Sequence, residues 1–164
     1  KATALCLREL PGVNCRLLGD GVLFLEDVHV GIAVTLDEGV IVPVLQGADR
    51  RPLTDLARES RRITAAARER RLEGGEPAGF TVSNLGMLGI ESFTAIINPP
   101  ETGILAVGGI EKRAVVGADG GICARDMVTL TLSVDHRVVD GALAARFMAR
   151  LKRLLEQPET LIGC

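Results

Sequence analysis

The 164-residue chain has no tryptophan, no tyrosine and only four phenylalanines, too few rings to build a stacking platform for nucleobases. Sixteen of its nineteen basic side chains are arginine, and the net charge is −2. That balance leaves no basic footprint for nucleic acid or for an anionic membrane surface. No apolar run approaches the ~20 residues that cross a bilayer, so no membrane span is expected. Histidine occurs twice, and Cys6, Cys15, Cys123 and Cys164 form no C-x-x-C pair, so no metal site is expected. Widely spaced thiols of this kind suit a reducing, intracellular compartment.

What the chain does have is aliphatic side chains and glycine. Hydrophobic residues make up 47% and the mean hydropathy is +0.27, which fits a packed sheet or a buried subunit surface and excludes disorder. Nineteen glycines exceed the average share of ~7% and point to tight turns and close backbone approaches. The length is that of one domain, residues 1–164. The chain opens on Lys1 within the helix-like KATALCLREL, so further sequence upstream is expected.

Periodicity orders the elements. Residues 1–10 read as a short helix stopped by Pro11-Gly12. From Val28 to Leu36 the alternation is strict, with Val28, Val30, Ile32, Val34 and Leu36 on one face and His29, Gly31, Ala33 and Thr35 on the other. Asp37-Glu38-Gly39 is a turn, and Val40–Leu45 the return strand, irregular at Pro43. Pro52 opens an amphipathic helix to about Leu72, with Leu53, Leu56, Ile63 and Ala67 as its apolar stripe. A loop from Glu73 to Pro77 precedes short strands at Gly79–Leu85, Phe93–Ile97, Gly103–Ile110 and Ala114–Val116. A turn over Ala118–Gly121 leads to an alternating strand at Met127–Val134, and Gly141–Gln157 is the last helix. This order implies an α/β domain, a mixed β-sheet flanked by helices.

The residues best suited to chemistry lie in SVDHRVVDGA, residues 133–142, where a strand gives way to a helix. A histidine, with a reference pKa of ~6.5, can act as general base near neutral pH. His136 stands four residues before Asp140, with Arg137 beside it and Gly141 available for a change of direction. The same residues equally suit a structural strand end. Ser83 and Asn84, in TVSNLG, read on composition alone as turn formers. His29 reads as structural, and Cys15 and Cys123 as small core residues.

DHRVVDG resembles the signature of the dihydrolipoamide acyltransferases, the core components of 2-oxoacid dehydrogenase complexes; chloramphenicol acetyltransferases share its sparser HxxxDG pattern. GIAVTLDEGVIVPVLQGADRRPL, GFTVSNLGMLGIESFTAIINPPETGILAVGGI and RLKRLLEQPETLI are similar to further stretches of the same family, so the resemblance covers essentially the whole chain. It implies a chloramphenicol-acetyltransferase-like fold whose N-terminal part is missing here. The implied chemistry is acyl transfer between the dihydrolipoyl thiol and coenzyme A, both of them substrates, with no metal. The INPPE segment is closest to the pyruvate-complex enzymes and points to acetyl. His136 matches the residue that takes the thiol proton, Ser83 the donor to the tetrahedral oxyanion, and Asp140 the aspartate that supports site geometry. Asn84, Arg137 and Gly141 are expected to shape the site. The His136 ring is expected to point into a cleft, one nitrogen donating to a backbone carbonyl, where Ser83 of a neighbouring subunit approaches.

The resemblance also implies trimers that pack into a larger core, and dehydrogenase components recruited through domains that this chain lacks, as it lacks the lipoyl domain. The compartment it implies is the bacterial cytoplasm, or the mitochondrial matrix in a eukaryote. The missing N-terminal part puts the activity of this chain alone in question. A catalytically idle core subunit, and a branched-chain or succinyl acyltransferase of the same family, are the alternatives.

Overall fold

The computed structural model describes residues 1–71 and 74–162; Leu72, Glu73 and Cys164, named above, lie outside them. The chain begins with helix α1 (Ala2–Glu9), then a hairpin of β1 (Cys15–Leu18) and β2 (Gly21–Phe24). Next come β3 (Val30–Leu36), β4 (Gly39–Ile41), β5 (Val44–Leu45), helix α2 (Leu53–Arg68) and β6 (Phe80–Asn84). The long strands β7 (Gly103–Val116) and β8 (Ile122–Val134) follow, then α3 (Gly141–Glu156) and the short α4 (Glu159–Ile162). Strands β4, β3, β6, β7 and β8 form a mixed sheet in that order, with β5 pairing with β3. The β3–β6 and β6–β7 pairs are parallel; the others are antiparallel.

The register sorts the two sheet faces. Val30 pairs with Phe80, Ile32 with Val82, Val82 with Leu105 and Leu105 with Leu132, so these side chains share one face, because side-chain direction alternates with period 2. That face carries the core with α1, α2 and α3, in which Leu7, Phe80, Val139, Phe147 and Leu151 are almost fully buried. The rings of Phe80 and Phe147 tie β6 to α3 with centroids 5.5 Å apart, in the range of favourable aromatic pairs. The opposite face is small and polar. One row of it runs Ala33, Ser83, Ala106 and Thr131 across β3, β6, β7 and β8.

The β3 strand and helices α1, α2 and α3 lie where the sequence pattern puts them, while β8 begins at Ile122 rather than Met127 and α4 follows the helix expected to be last. Four further features differ. Val40–Leu45 is two strands, because Pro43 has no N–H for the ladder and the chain breaks at Val42-Pro43. Gly103–Ile110 and Ala114–Val116 are one strand, whose register shifts between Val107 and Ile110. Gly108 sits at that shift, where a Cβ would collide with the Glu91 backbone and where a Cβ on Gly86 would collide with the Gly108 backbone. Phe93–Ile97 is no strand. Phe93, Ala95 and Ile97 are half-buried and Ile96 is 90% exposed, so the alternation is real, yet β6 and β7 already have partners on both sides. The segment instead crosses the polar face, where Ser133 Oγ donates to the Ala95 carbonyl at 2.8 Å. Finally, the β1–β2 hairpin carries little periodicity, and Val22, Leu23 and Phe24 are exposed on it.

Candidate active site

His136 begins the turn between β8 and α3, as the sequence predicts. Its side chain is exposed rather than set in a cleft, and among the described residues its ring makes no hydrogen bond. The carbonyl expected to hold one ring nitrogen is therefore not engaged. What is held is the backbone on either side. Asp135 N–H donates to the carbonyl of the fully buried Thr102 at 2.9 Å, and the Asp135 carbonyl accepts from Val138 and Val139 at 3.0 and 2.9 Å.

Arg137 is engaged by Asp135, not by His136 or Asp140. Its Nη2 lies 2.6 Å and its Nε 3.0–3.1 Å from the carboxylate, and its backbone N–H donates to Oδ1 at 3.0 Å. These hydrogen bonds, side chain first, hold the Asp135 carboxyl down to about 2. Asp140 caps α3. Its Oδ1 accepts the Leu143 N–H at 2.7 Å, satisfying one of the orphan donors of a helix N-terminus. Gly141 follows without the steep turn expected of it: its φ is not positive and a Cβ there would meet nothing within 4 Å.

Ser83 is half-buried in β6, on the small polar sheet face, and among the described residues its hydroxyl has no partner. Asn84 points to the other face and closes a turn, its Oδ1 accepting the Gly86 N–H at 2.8 Å. The turn-forming reading thus applies to Asn84 and not to Ser83. Within one chain Ser83 and His136 are not brought together. Ser83 aligns with Thr131, two strands across, and β8 runs on three residues to Val134 before the turn. With ~3.3 Å per residue and ~4.8 Å per strand, Ser83 and Val134 lie roughly 14 Å apart, with His136 beyond Val134 at the start of the turn.

A cavity of about 540 Å³ among the described residues belongs to neither Ser83 nor His136. It opens on the apolar face and is lined by Val82, Leu105, Val107, Leu130 and Leu155 among others, with Asn84 at its wall. Size alone would make it the default ligand site, but it offers no titratable pair. Two groups that sequence reasoning did not single out are more informative. Glu101 is buried, accepting from Thr81 Oγ1 at 2.7 Å and Asn98 Nδ2 at 3.2 Å, and burial pushes its carboxyl up. Asp135 was legible only as an Asp two residues before a free backbone donor, the pattern of an Asx turn. His29 is structural, its Nδ1 accepting the Gly47 N–H at 3.0 Å, and burial lowers its pKa. Cys6 and Cys15 are buried, and Cys123 is half-exposed near the tip of the β7–β8 hairpin. No grouping of metal-ligating side chains occurs among the described residues.

A family model, 2-oxoacid dehydrogenases acyltransferase (catalytic domain), matches residues 1–163. The acetyltransferase component of the pyruvate dehydrogenase complex of Rickettsia bellii is 40% identical over 98% of this chain and 39% of its own length. A succinyltransferase component of the 2-oxoglutarate dehydrogenase complex, from Bartonella vinsonii, is 41% identical over 99% of this chain and 40% of its own. The chain thus spans about two fifths of the curated relatives it matches. Among solved structures, the cubic core of a pyruvate dehydrogenase multienzyme complex superposes with a TM-score of 0.91 at 38% identity, over 98% of this chain and 68% of that one. The Azotobacter vinelandii dihydrolipoamide acetyltransferase, studied for a serine, a histidine and an asparagine in its catalytic mechanism, gives 0.91 at 39% identity over the same shares. A chloramphenicol acetyltransferase shares the fold, with a TM-score of 0.61 at 17% identity over 94% of this chain and 74% of that one.

Proposed function

Because this chain belongs to the 2-oxoacid dehydrogenases acyltransferase catalytic-domain family, we propose that it performs acyl transfer, with acetyl as the group, between coenzyme A and a dihydrolipoyl thiol. The observation that carries this reading is a pair of unengaged groups on rigid elements. The His136 ring and the Ser83 hydroxyl have no partner among the described residues, and each sits at or beside the end of a sheet strand. A group that must receive a proton and one that must donate to a developing charge both need that freedom.

In the proposed reaction the thiol of coenzyme A gives its proton to a His136 nitrogen as its sulfur attacks the acyl-dihydrolipoyl carbonyl. With reference values of ~8.5 for a thiol and ~6.5 for imidazole, the transfer is only modestly uphill, so orientation matters more than basicity. The tetrahedral oxyanion accepts a hydrogen bond from Ser83, a donor typically worth ~2.7–4 kcal/mol at the transition state. Collapse breaks the bond to the dihydrolipoyl sulfur, which leaves with the proton from the imidazolium. Asp140 holds the N-terminus of α3 just past the His136 turn. In the Azotobacter relative an asparagine stands four residues after the catalytic histidine, as Asp140 does after His136, and a carboxylate or a carboxamide can equally accept a cap hydrogen bond.

The separation of Ser83 from His136 within one chain leads to a site completed between copies, most simply in a trimer within a larger core, with dehydrogenase components recruited elsewhere on the full protein. The compartment we propose is the bacterial cytoplasm. The test is transfer from acetyl-coenzyme A to dihydrolipoamide by the full-length protein, with succinyl-coenzyme A in parallel, since a succinyltransferase component is as similar as an acetyltransferase one. Transfer of acetyl alone supports the reading. Transfer of succinyl alone reassigns the group, and transfer of neither leaves an idle core subunit.

A further inference from the structure

We propose that Asp135 is a positioning residue for His136, its carboxylate closing the turn that carries the imidazole; the catalytic arm of this proposal rests on the acyltransferase reading above. The turn is fixed at Asp135 by every polar group that residue has. Its N–H reaches the Thr102 carbonyl, and its carbonyl receives Val138 and Val139. Its side-chain Oδ1 receives the Arg137 N–H across His136. His136, the residue spanned, contributes no ring hydrogen bond of its own among the described residues. Its place is therefore set by the residue before it.

The other end of this anchor leads back to the Ser83 strand. Thr102 follows Glu101, whose carboxylate holds Thr81 Oγ1, two residues before Ser83 on the same face of β6. One joint, Glu101-Thr102, thus bears on both candidate groups of the chain.

Two features of the carboxylate can be separated physically. The ion pair with Arg137 is exposed, with 73% of the arginine side chain accessible, and exposed pairs contribute little. The Asx-type acceptor closes the backbone turn directly, and an asparagine supplies the same acceptor. The turn closure, not the charge, is what His136 needs.

The experiment compares Asp135→Ala and Asp135→Asn in the full-length protein by steady-state transfer kinetics and by amide hydrogen exchange. Asp135→Ala is expected to lower kcat by about ten- to a hundredfold with KM within about twofold, the cost of a displaced catalytic group. It should also speed exchange of the 137–139 amides while β8 and α3 exchange as before. Asp135→Asn should restore both readouts to near wild type. Wild-type exchange and turnover in Asp135→Ala overturn the proposal, and so does an Asn variant as impaired as the Ala one. If the wild-type protein transfers no acyl group, the functional reading fails by itself. The exchange comparison then still decides whether Asp135 closes the turn.

Discussion

Thr81 donates its hydroxyl to the buried carboxylate of Glu101 over 2.7 Å, and this bond links the strand of Ser83 to the segment that anchors the His136 turn. Burial, the leading cause, raises the Glu101 carboxyl above the ordinary range, against the opposing hydrogen bonds from Thr81 and Asn98. An acid bound more tightly to its proton when folded stabilises the fold fully below its unfolded pKa. That contribution is lost as pH rises through the folded value. Glu101→Gln should therefore flatten this part of the stability–pH curve, since an amide satisfies both neighbours without charge. Glu101→Ala should cost about 1–3 kcal/mol by leaving the buried Thr81 hydroxyl unmatched. Urea denaturation as pH rises from about 4, near the reference carboxylate value, reads both; a Gln variant with the wild-type slope would refute the assignment.

His29 has the opposite sign. Burial, the largest cause, depresses its pKa, and its unprotonated Nδ1 accepts the Gly47 N–H. The stabilising contribution is present above the unfolded histidine value of ~6.5 and is lost as pH falls through the folded one. His29→Asn, whose side-chain oxygen can take the same N–H, should lessen the loss of stability on acidification. Thermal melts across that range check it, and an unchanged acid slope places the titration elsewhere.

Asp140 should separate stability from charge. Asp140→Ala removes the cap of α3 and is expected to cost ~0.5–2 kcal/mol, while Asp140→Asn should cost only a fraction of that. Equal losses in chemical denaturation would show that the charge, not the Leu143 hydrogen bond, matters.

The distance between Ser83 and His136 gives a complementation test. Ser83→Ala should lower turnover ~10²–10³-fold, and His136→Ala ~10²–10⁴-fold. Co-expressed in one assembly, the two variants should recover roughly a quarter of wild-type activity, because in random mixed closed oligomers about one interface in four pairs an intact serine with an intact histidine. No recovery in verified mixed assemblies would place both residues in the site of a single chain.

The sequence by itself determined the elements whose signal is periodic and local. Val30–Leu36 and the Met127–Val134 part of β8 alternate because one set of side chains packs toward the core, with Val30 and Val34 buried and Leu130, Leu132 and Val134 partly so. Helix α3 keeps its helical stripe because Phe147, Leu151 and Leu154 pack into the core. The location of His136 on a strand-end turn was legible for the same reason, as was Asp140 four residues on. What only the tertiary structure decided depends on partners distant in the chain. Phe93–Ile97 has a strand's alternation but pairs with no strand, lying instead across the polar sheet face at Ser133. Ser83 and Asn84 face opposite ways in any strand, and which of them takes the polar face is decided by where β6 is placed between β3 and β7. The buried Glu101 and the closing role of Asp135 arise from hydrogen bonds to Thr81, Thr102 and Arg137. Periodicity records which side of an element is dry, whereas a hydrogen bond depends on which distant atoms folding brings within about 3 Å.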